Sequence, residues 1–380
     1  MKKIAMSGLS LAILGMTGAA HAQSSVTLYG LIDAGITYTS NQGGSHNFQE
    51  TSGSVNGSRW GLRGSEDLGG GLKAIFTLEN GFSITSGKLG QNSLEFGRQA
   101  FVGLSSDQYG AVTLGRQYDS VVDYLGPLAL TGTGYGGTMA AHPFDNDNLD
   151  NSFRINNSVK YQSANYGGLK LGALYGFSNS SSGFSTNRAY SFGASYNYGP
   201  LNVAAGYLQL NNSGTSLNSS GAVTADTTFT AATQRTYGAG LNYTFGPAVV
   251  GLVFTQTHLD GATGIGASAS GTSSGLTLTN SSARFTNYEV NGRYNITPAW
   301  SVSGAYTFTD ARLDGVSPKY NQVSLQTAYA LSKRTDVYLM AVYQHVSDTG
   351  SSGITADING LSRSSTDSQV ATTIGLRHRF

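Results

Sequence analysis

The chain has no cysteine, so no disulfide can staple it and no thiolate is available for metal or redox chemistry; a large hydrogen-bonded framework must hold it together instead. Charged residues make up 11% of it, well below the roughly 25% of soluble domains, so much of its surface is not an ordinary aqueous one. After residue 22 no apolar run approaches the roughly 20 residues that a spanning helix needs. Proline is scarce at 6, whereas glycine reaches 52 and tyrosine, at 22, outnumbers phenylalanine at 16. Charge depletion without spanning helices leaves one way to satisfy a backbone in lipid, a closed β-barrel.

The opening MKK, the apolar stretch from Ile4 to about Met16 and the small-residue triplet Ala20-His21-Ala22 read as a secretory signal peptide. The expected domains are therefore a removed leader, 1–22, and a single barrel domain, 23–380. Taking Lys2 and Lys3 from 22 basic residues leaves 20 against 21 acidic ones, a formal net charge of −1 that suggests no nucleic-acid partner.

What is present is alternation with period two. In SSVTLYGLIDAGITYTS, Val26, Leu28, Gly30, Ile32, Ala34 and Ile36 share one face while Asp33 falls on the other. The same pattern recurs at Leu169–Phe177, Tyr190–Tyr198, Tyr237–Phe245 and Trp300–Phe308, and the charges Asp33, Arg63, Lys73, Lys170, Glu289 and Arg293 take the opposite face. An Arg or Lys facing midplane lipid costs about 2 to 4 kcal/mol, so this segregation predicts a wet interior. Sixteen strands are expected, starting near Val26, Ser58, Leu72, Gly97, Ala111, Arg154, Leu169, Ala189, Leu201, Arg235, Ala248, Phe285, Trp300, Asn321, Thr335 and Gln369. Seven short turns alternate with eight long polar connections, as in a barrel with periplasmic turns and external loops. The pattern does not decide which face of the strand near Thr335 looks outward. The segments Asn211–Thr233 and Gly261–Ser282 read as solvated loops.

Three motifs are weak. Gly132–Gly137 matches GxGxxG but lies in a loop between Pro127 and Pro143, without the strand and helix that dinucleotide binding needs. Gly271–Gly275 matches GxSxG within a Ser/Gly/Thr tract. Asp145–Asp150 is rich in oxygen donors but departs from the EF-hand pattern, which leaves a weak cation site or a solvated acidic loop. No metal centre or cofactor is expected.

The longest connection, Gln117 to about Phe153, carries VVDYLGPLAL together with several aspartates. Such a segment packs against something, and inside a sixteen-stranded barrel it would narrow the lumen. Arg59, Arg63, Lys73, Arg98, Arg116, Arg154 and Lys160 lie in the neighbouring strands; they form an electrostatic constriction with the loop acids, or tie the loop to the wall. Arg98 shares the parity of Ala100, Val102 and Leu104, so it faces inward only above the apolar band or past a bulge. At the other end, Phe380 shares its parity with Leu376 and Ile374 while Arg377 and Arg379 point to water, so GLRHRF reads as the last strand, closing on the first.

The runs QSSVTLYGLIDAG, GRQAFVGL, TLGRQ, RINNSVKYQS, LSKRT and GLRHRF together resemble the betaproteobacterial outer-membrane general porins. The resemblance implies an all-β fold, a 16-stranded antiparallel transmembrane barrel with an inward-folded third loop. It implies a homotrimer in the Gram-negative outer membrane, amid lipid and lipopolysaccharide, passing ions and small hydrophilic solutes passively and catalysing nothing. It carries a constriction role to Arg59, Arg98 and Arg154, and a signal read by the barrel-insertion machinery to Phe380. Asp119 and Asp123 are the expected loop acids, although GTGYGG replaces the PEFGG-like stretch of many relatives. The alternatives are a barrel enzyme of protease or phospholipase type, which needs a nucleophile close to a His, and an adhesin barrel plugged by its loops.

Overall fold

The computed structural model describes residues 25–181, 183–224, 226–266 and 276–380. The expected leader and the GxSxG match lie outside the described residues. The strands are β1 (Ser25–Gln42), β2 (Ser45–Ser52 and Arg59–Gly69), β3 (Leu72–Gly81), β4 (Gln99–Ser106), β5 (Gly110–Gln117), β6 (Ile155–Gln162), β7 (Leu169–Gly176) and β8 (Ala189–Tyr198). They continue as β9 (Leu201–Asn211), β10 (Phe229–Thr230 and Thr233–Phe245), β11 (Ala248–Ile265), β12 (Leu276–Asn295), β13 (Trp300–Arg312), β14 (Lys319–Ala330), β15 (Thr335–Ser347) and β16 (Ser368–Arg379). Each pairs antiparallel with its sequence neighbours, and β1 pairs with both β2 and β16, so the sheet closes on itself. The fold is the expected closed 16-stranded barrel.

Two strand starts differ most from the sequence reading, and β10 also gains the short Phe229–Thr230 piece before Arg235. β2 begins at Ser45, not near Ser58: after the Gly43–Gly44 turn the chain pairs back along β1, leaves the ladder at 53–58, and rejoins it at Arg59. The excursion lets the Val55 and Asn56 amides donate to the buried Asp33 carboxylate, which also accepts from the Tyr338 hydroxyl at 2.6 Å. β12 begins at Leu276 and β11 runs to Ile265, so part of Gly261–Ser282 is ladder, not loop. Above the lipid nothing demands apolar alternation, and backbone pairing alone extends the hairpin there. The 211–233 connection likewise tucks inward, with Ala222 and Val223 buried.

The alternation places the faces. Val26, Leu28, Ile36, Val102, Leu104, Phe192, Leu241, Leu252, Val290, Leu325 and Ile374 are exposed on the outside, and Tyr198, Phe245, Tyr294, Trp300 and Tyr329 form an aromatic girdle at the short-turn end. In β15, Leu339 and Tyr343 face out whereas Tyr338, Met340 and Val342 are buried inside. Val102 and Leu104 likewise point outward, while Arg98 stands one residue before β4 and turns in.

Closure is made by nine residue pairs, from Leu31↔Arg379 to Thr39↔Ala371. Gly30 and Phe380 exchange both backbone hydrogen bonds at 3.1 Å. The Phe380 ring lies over Gly30 on the outer face, where a Cβ would strike it. Arg379 bonds Asp336 at 2.8 Å, and Arg377 is not free in water as its parity alone suggests: it is buried against Asp336, Asn56 and the Gly134 carbonyl. Deleting Phe380 removes two hydrogen bonds worth about 0.5 to 1.5 kcal/mol each and the ring over Gly30. The expected outcome is a lower yield of heat-modifiable barrel in the outer membrane, with unchanged conductance of the channels that do assemble; a normal yield would contradict it.

Candidate functional site

The inner wall has a trough made by glycine. Gly172, Gly193, Gly206 and Gly238 stand directly opposite one another on β7, β8, β9 and β10, all on the inward parity. The third loop (118–154) starts with a single π-helical turn, Val121–Leu125, that seats in this trough. A Cβ at Gly172 or Gly193 would run into the Tyr124 ring, at Gly206 into Val121 and at Gly238 into Leu125. The seated residues join Leu128, Leu149, Phe153, Leu174, Leu208 and Val253 in a packed cluster. The loop's apolar run therefore packs against the barrel interior, as its composition predicts.

Beyond the turn the loop is pinned to β12–β16. Glu289 accepts from the Leu130 amide at 2.8 Å, Ser303 donates to the Tyr135 carbonyl at 2.8 Å, and Gln322 donates to the Ala141 carbonyl at 3.0 Å. Arg293 lies 4.3 Å from the centroid of Tyr135. His142, wholly buried, sits between Asp147 at 2.6 Å and Glu289 at 3.0 Å. Burial alone would lower the imidazole, but the two carboxylates outweigh it and hold it up at about 10, so it is a cation at neutral pH.

The loop acids singled out from sequence serve to anchor the loop. Asp119 is wholly buried and accepts from the Val121 and Val122 amides and from Asn148. Burial pushes its carboxyl up to about 6. Asp123 bonds Lys160 at 2.6 Å, and that lysine also donates to the Tyr118 carbonyl; the pair ties the turn to β6. In the oxygen-rich run, Asp145 accepts from the Asp150 and Ser152 amides, and Asp147 is taken by His142 and Thr255. Asp150 differs. It feels the charges of both Arg98 and Arg154, so it is the loop carboxylate that acts on the wall arginines, while the Thr131 and Thr138 hydroxyls donate to the Gly137 and Gly53 carbonyls.

Those arginines gather around β2 and β4–β6, with Arg98, Arg116 and Arg154 buried. Arg98 bonds Glu79 at 2.7 Å and donates to the Tyr118 hydroxyl at 2.9 Å. Arg59 lies 3.9 Å from the same Glu79. Arg116 pairs with Asp226 at 2.5 Å. Arg154, 1% exposed, lies over the Tyr118 ring at 5.4 Å and donates to the neutral Ser152 carbonyl and Asn151. Arg63, closer to the short-turn end, is exposed to the lumen over Tyr29. Four guanidinium groups thus have two carboxylates, Glu79 and Asp226, as direct partners. Sequence reasoning missed the glycine trough, whose signal was one inward glycine at matching depth in four successive strands. It also missed Glu79 and the His142 anchor, and did not single out Asp150 among the loop aspartates.

His142→Ala leaves two buried carboxylates without a cation between them, a change that costs roughly 3 to 5 kcal/mol for a buried pair. The expected readouts are lost hydrogen-exchange protection at the Leu130 amide and noisier single-channel current; full protection would contradict the anchoring role. Because the folded imidazole lies above its unfolded value, the anchor's contribution is complete below pH about 6.5 and is lost as pH rises through about 10.

The comparisons agree with this geometry. A family model described as Gram-negative porin matches residues 8–349. The chain is 34% identical over 376 residues to an outer membrane porin protein of Bordetella pertussis, covering 90% of this chain and 94% of that one. Over 209 residues it is 36% identical to outer membrane porin protein 32 of Delftia acidovorans, covering 53% and 58%. Its fold matches the anion-selective porin from Comamonas acidovorans with a TM-score of 0.73 at 26% identity, over 94% of this chain and all of that one. A barrel sealed edge to edge, with a wet lumen, a folded-in loop and lipid-facing girdles, is a passive outer-membrane diffusion channel, and the chain belongs to the Gram-negative porin family.

Proposed function

We propose that this porin prefers anions, and that Arg59, Arg98, Arg116 and Arg154 set the preference opposite Asp150, with Arg63 extending the positive wall toward the short-turn end. The observation that carries the reading is the shortage of carboxylates among these arginines: Glu79 and Asp226 serve four guanidinium groups, while Asp119, Asp123 and Asp147 are engaged with amides, Lys160 and His142. In a narrow, partly desolvated lumen such a surplus raises local anion concentration. The structural relative from Comamonas acidovorans is itself described as anion-selective.

The remaining finer roles belong to the same proposal. The channel performs no reaction and binds no cofactor, the leader is removed after Ala22, and Phe380 is read by the insertion machinery. The protein works as a homotrimer: β4, β5, β6 and β7 have 8 residues each, short of the 9 to 11 or so that cross lipid alone, so a neighbouring copy covers that side. The outer membrane protein OmpT of Vibrio cholerae, 17% identical with a TM-score of 0.67, is solved in a trimer form.

Burial pushes the Asp150 carboxyl up to about 7, against the opposing pull of Arg154 and Arg98, and the adjacent buried Asp145 is raised as well. Ionised Asp150 offsets the arginines at pH 8, and its neutral form no longer does so at pH 6. Reversal potentials in a KCl gradient are therefore expected to shift toward anion preference as pH falls from 8 to 6. Asp150→Asn abolishes the shift, and Arg98→Ala or Arg154→Ala reduces the preference at both values. Selectivity unchanged in all three variants would sink the assignment.

A further inference from the structure

On the outer face, at the long-loop end, β10–β13 carry four basic side chains in one cross-strand row. Arg235 stands opposite His258, His258 opposite Arg284, and Arg284 opposite Arg312. Their parity is that of the lipid-facing Tyr237, Leu252, Tyr288 and Tyr306, while the intervening Thr257, Leu259, Ala283, Phe285 and Ala311 are buried inside. Arg284 and Arg312 put like charges directly opposite across a ladder, which destabilises it, so the row calls for anions. The wall supplies too few. Asp260 serves both Arg235 at 2.7 Å and His258 at 3.0 Å, and Asp310 reaches Arg284 only at 3.7 Å. The Arg284 Nε has no hydrogen-bond partner, and Arg312 is exposed without an ion-pair partner among the described residues. Lys319, beside Asp310, is taken by Asp348 at 2.6 Å.

Depth decides what reaches this row. Arg312 stands twelve residues beyond Trp300, and Arg235 ten before Phe245, both anchors of the short-turn girdle. At about 3.3 Å per residue and a tilt near 40°, these spans raise the row roughly 25 to 30 Å above that girdle, at or just past the top of a hydrocarbon band about 25 Å tall. Directly below it lies an aromatic shelf in which Phe254, Tyr288 and Phe308 pack side by side on neighbouring strands. On β1 and β2 the corresponding outer positions are Tyr38, Phe48 and Glu50, with no basic side chain among them. An anion that meets the row from outside the barrel, at headgroup level, with apolar surface beneath it, is the head of a lipid.

We propose that the row Arg235, His258, Arg284 and Arg312 is a docking surface for the phosphorylated headgroup of a lipid in the outer leaflet, whose acyl chains lie along the aromatic shelf. The proposal rests on the outer-membrane location and not on the lumen, because the row points away from the pore. Guanidinium pairs bind phosphate with charge-assisted, bidentate hydrogen bonds, and Arg284 with Arg312 offers the least neutralised pair.

The test is native mass spectrometry of the purified, detergent-folded protein with bis-phosphorylated lipid A, with its dephosphorylated form, and with inorganic phosphate as competitor. Wild type is expected to retain the phosphorylated lipid and not the dephosphorylated one, a comparison that needs no variant. R284Q/R312Q is expected to bind roughly thirtyfold more weakly, R284K/R312K to keep most of the binding, and inorganic phosphate at millimolar concentration to leave the lipid in place. Single-channel conductance of R284Q/R312Q is expected to match wild type, which separates loss of this site from failure of the pore. Equal retention of the two lipid forms, full retention by R284Q/R312Q, or displacement of the lipid by inorganic phosphate would overturn the proposal.

Discussion

The structure depends on one condition: in hydrocarbon every backbone donor and acceptor must find a partner within the protein, so the sheet cannot have an edge. The β1–β16 ladder meets that condition, from Thr39↔Ala371 down to the paired Gly30 and Phe380. Once the ring is closed each strand has one face to lipid and one to the interior, and the side-chain alternation follows. The closing strands are also braced from inside. Asp33, Tyr338, Arg377 and Asp336 join β1, β15 and β16 to the 53–58 excursion and to the third loop. The seam of the barrel and the anchoring of its constriction therefore share residues.

A closed ring of this size leaves a lumen too wide to discriminate, and the third loop narrows it. Holding a loop of some 35 residues in water against an open wall requires buried contacts of two kinds. Glycine supplies the first: by leaving out four side chains at one level, β7–β10 allow Val121, Tyr124 and Leu125 to approach the backbone. Buried charge supplies the second, in the Asp147–His142–Glu289 chain and the Asp123–Lys160 pair. Because anchoring engages most of the loop's carboxylates, the positive wall of Arg59, Arg98, Arg116 and Arg154 is left weakly opposed. Anchoring and field thus follow from the same distribution of aspartates.

The barrel was legible in the sequence because alternation is a local signal. Strand number, the outward face of most strands and the inward fold of the third loop could all be read from periodicity and from the loop's apolar run. The start of β2 was not, because the 53–58 excursion is held by Asp33, a contact between distant residues. Nor was the extension of the β11–β12 hairpin, where ladder continues above the lipid without an apolar face. Around the third loop, residue type singled out Arg98 and Arg154 but could not tell an acid that lies near those arginines from one that binds amides. Asp119, Asp123 and Asp150 look alike in the chain; only the packing of the loop separates them. The outward row on β10–β13 was hidden for a related reason, since Arg235, His258, Arg284 and Arg312 come together only through strand register.

Conductance of a single purified channel in a planar bilayer tests the central claim most directly, namely that a water-filled lumen runs through the closed barrel past a fixed third loop. Large, uniform, stepwise increments are expected as channels insert, linear in voltage over a moderate range. Insertion of heat-modifiable, folded barrels without conductance steps would mean that the loops plug the lumen, and would contradict it.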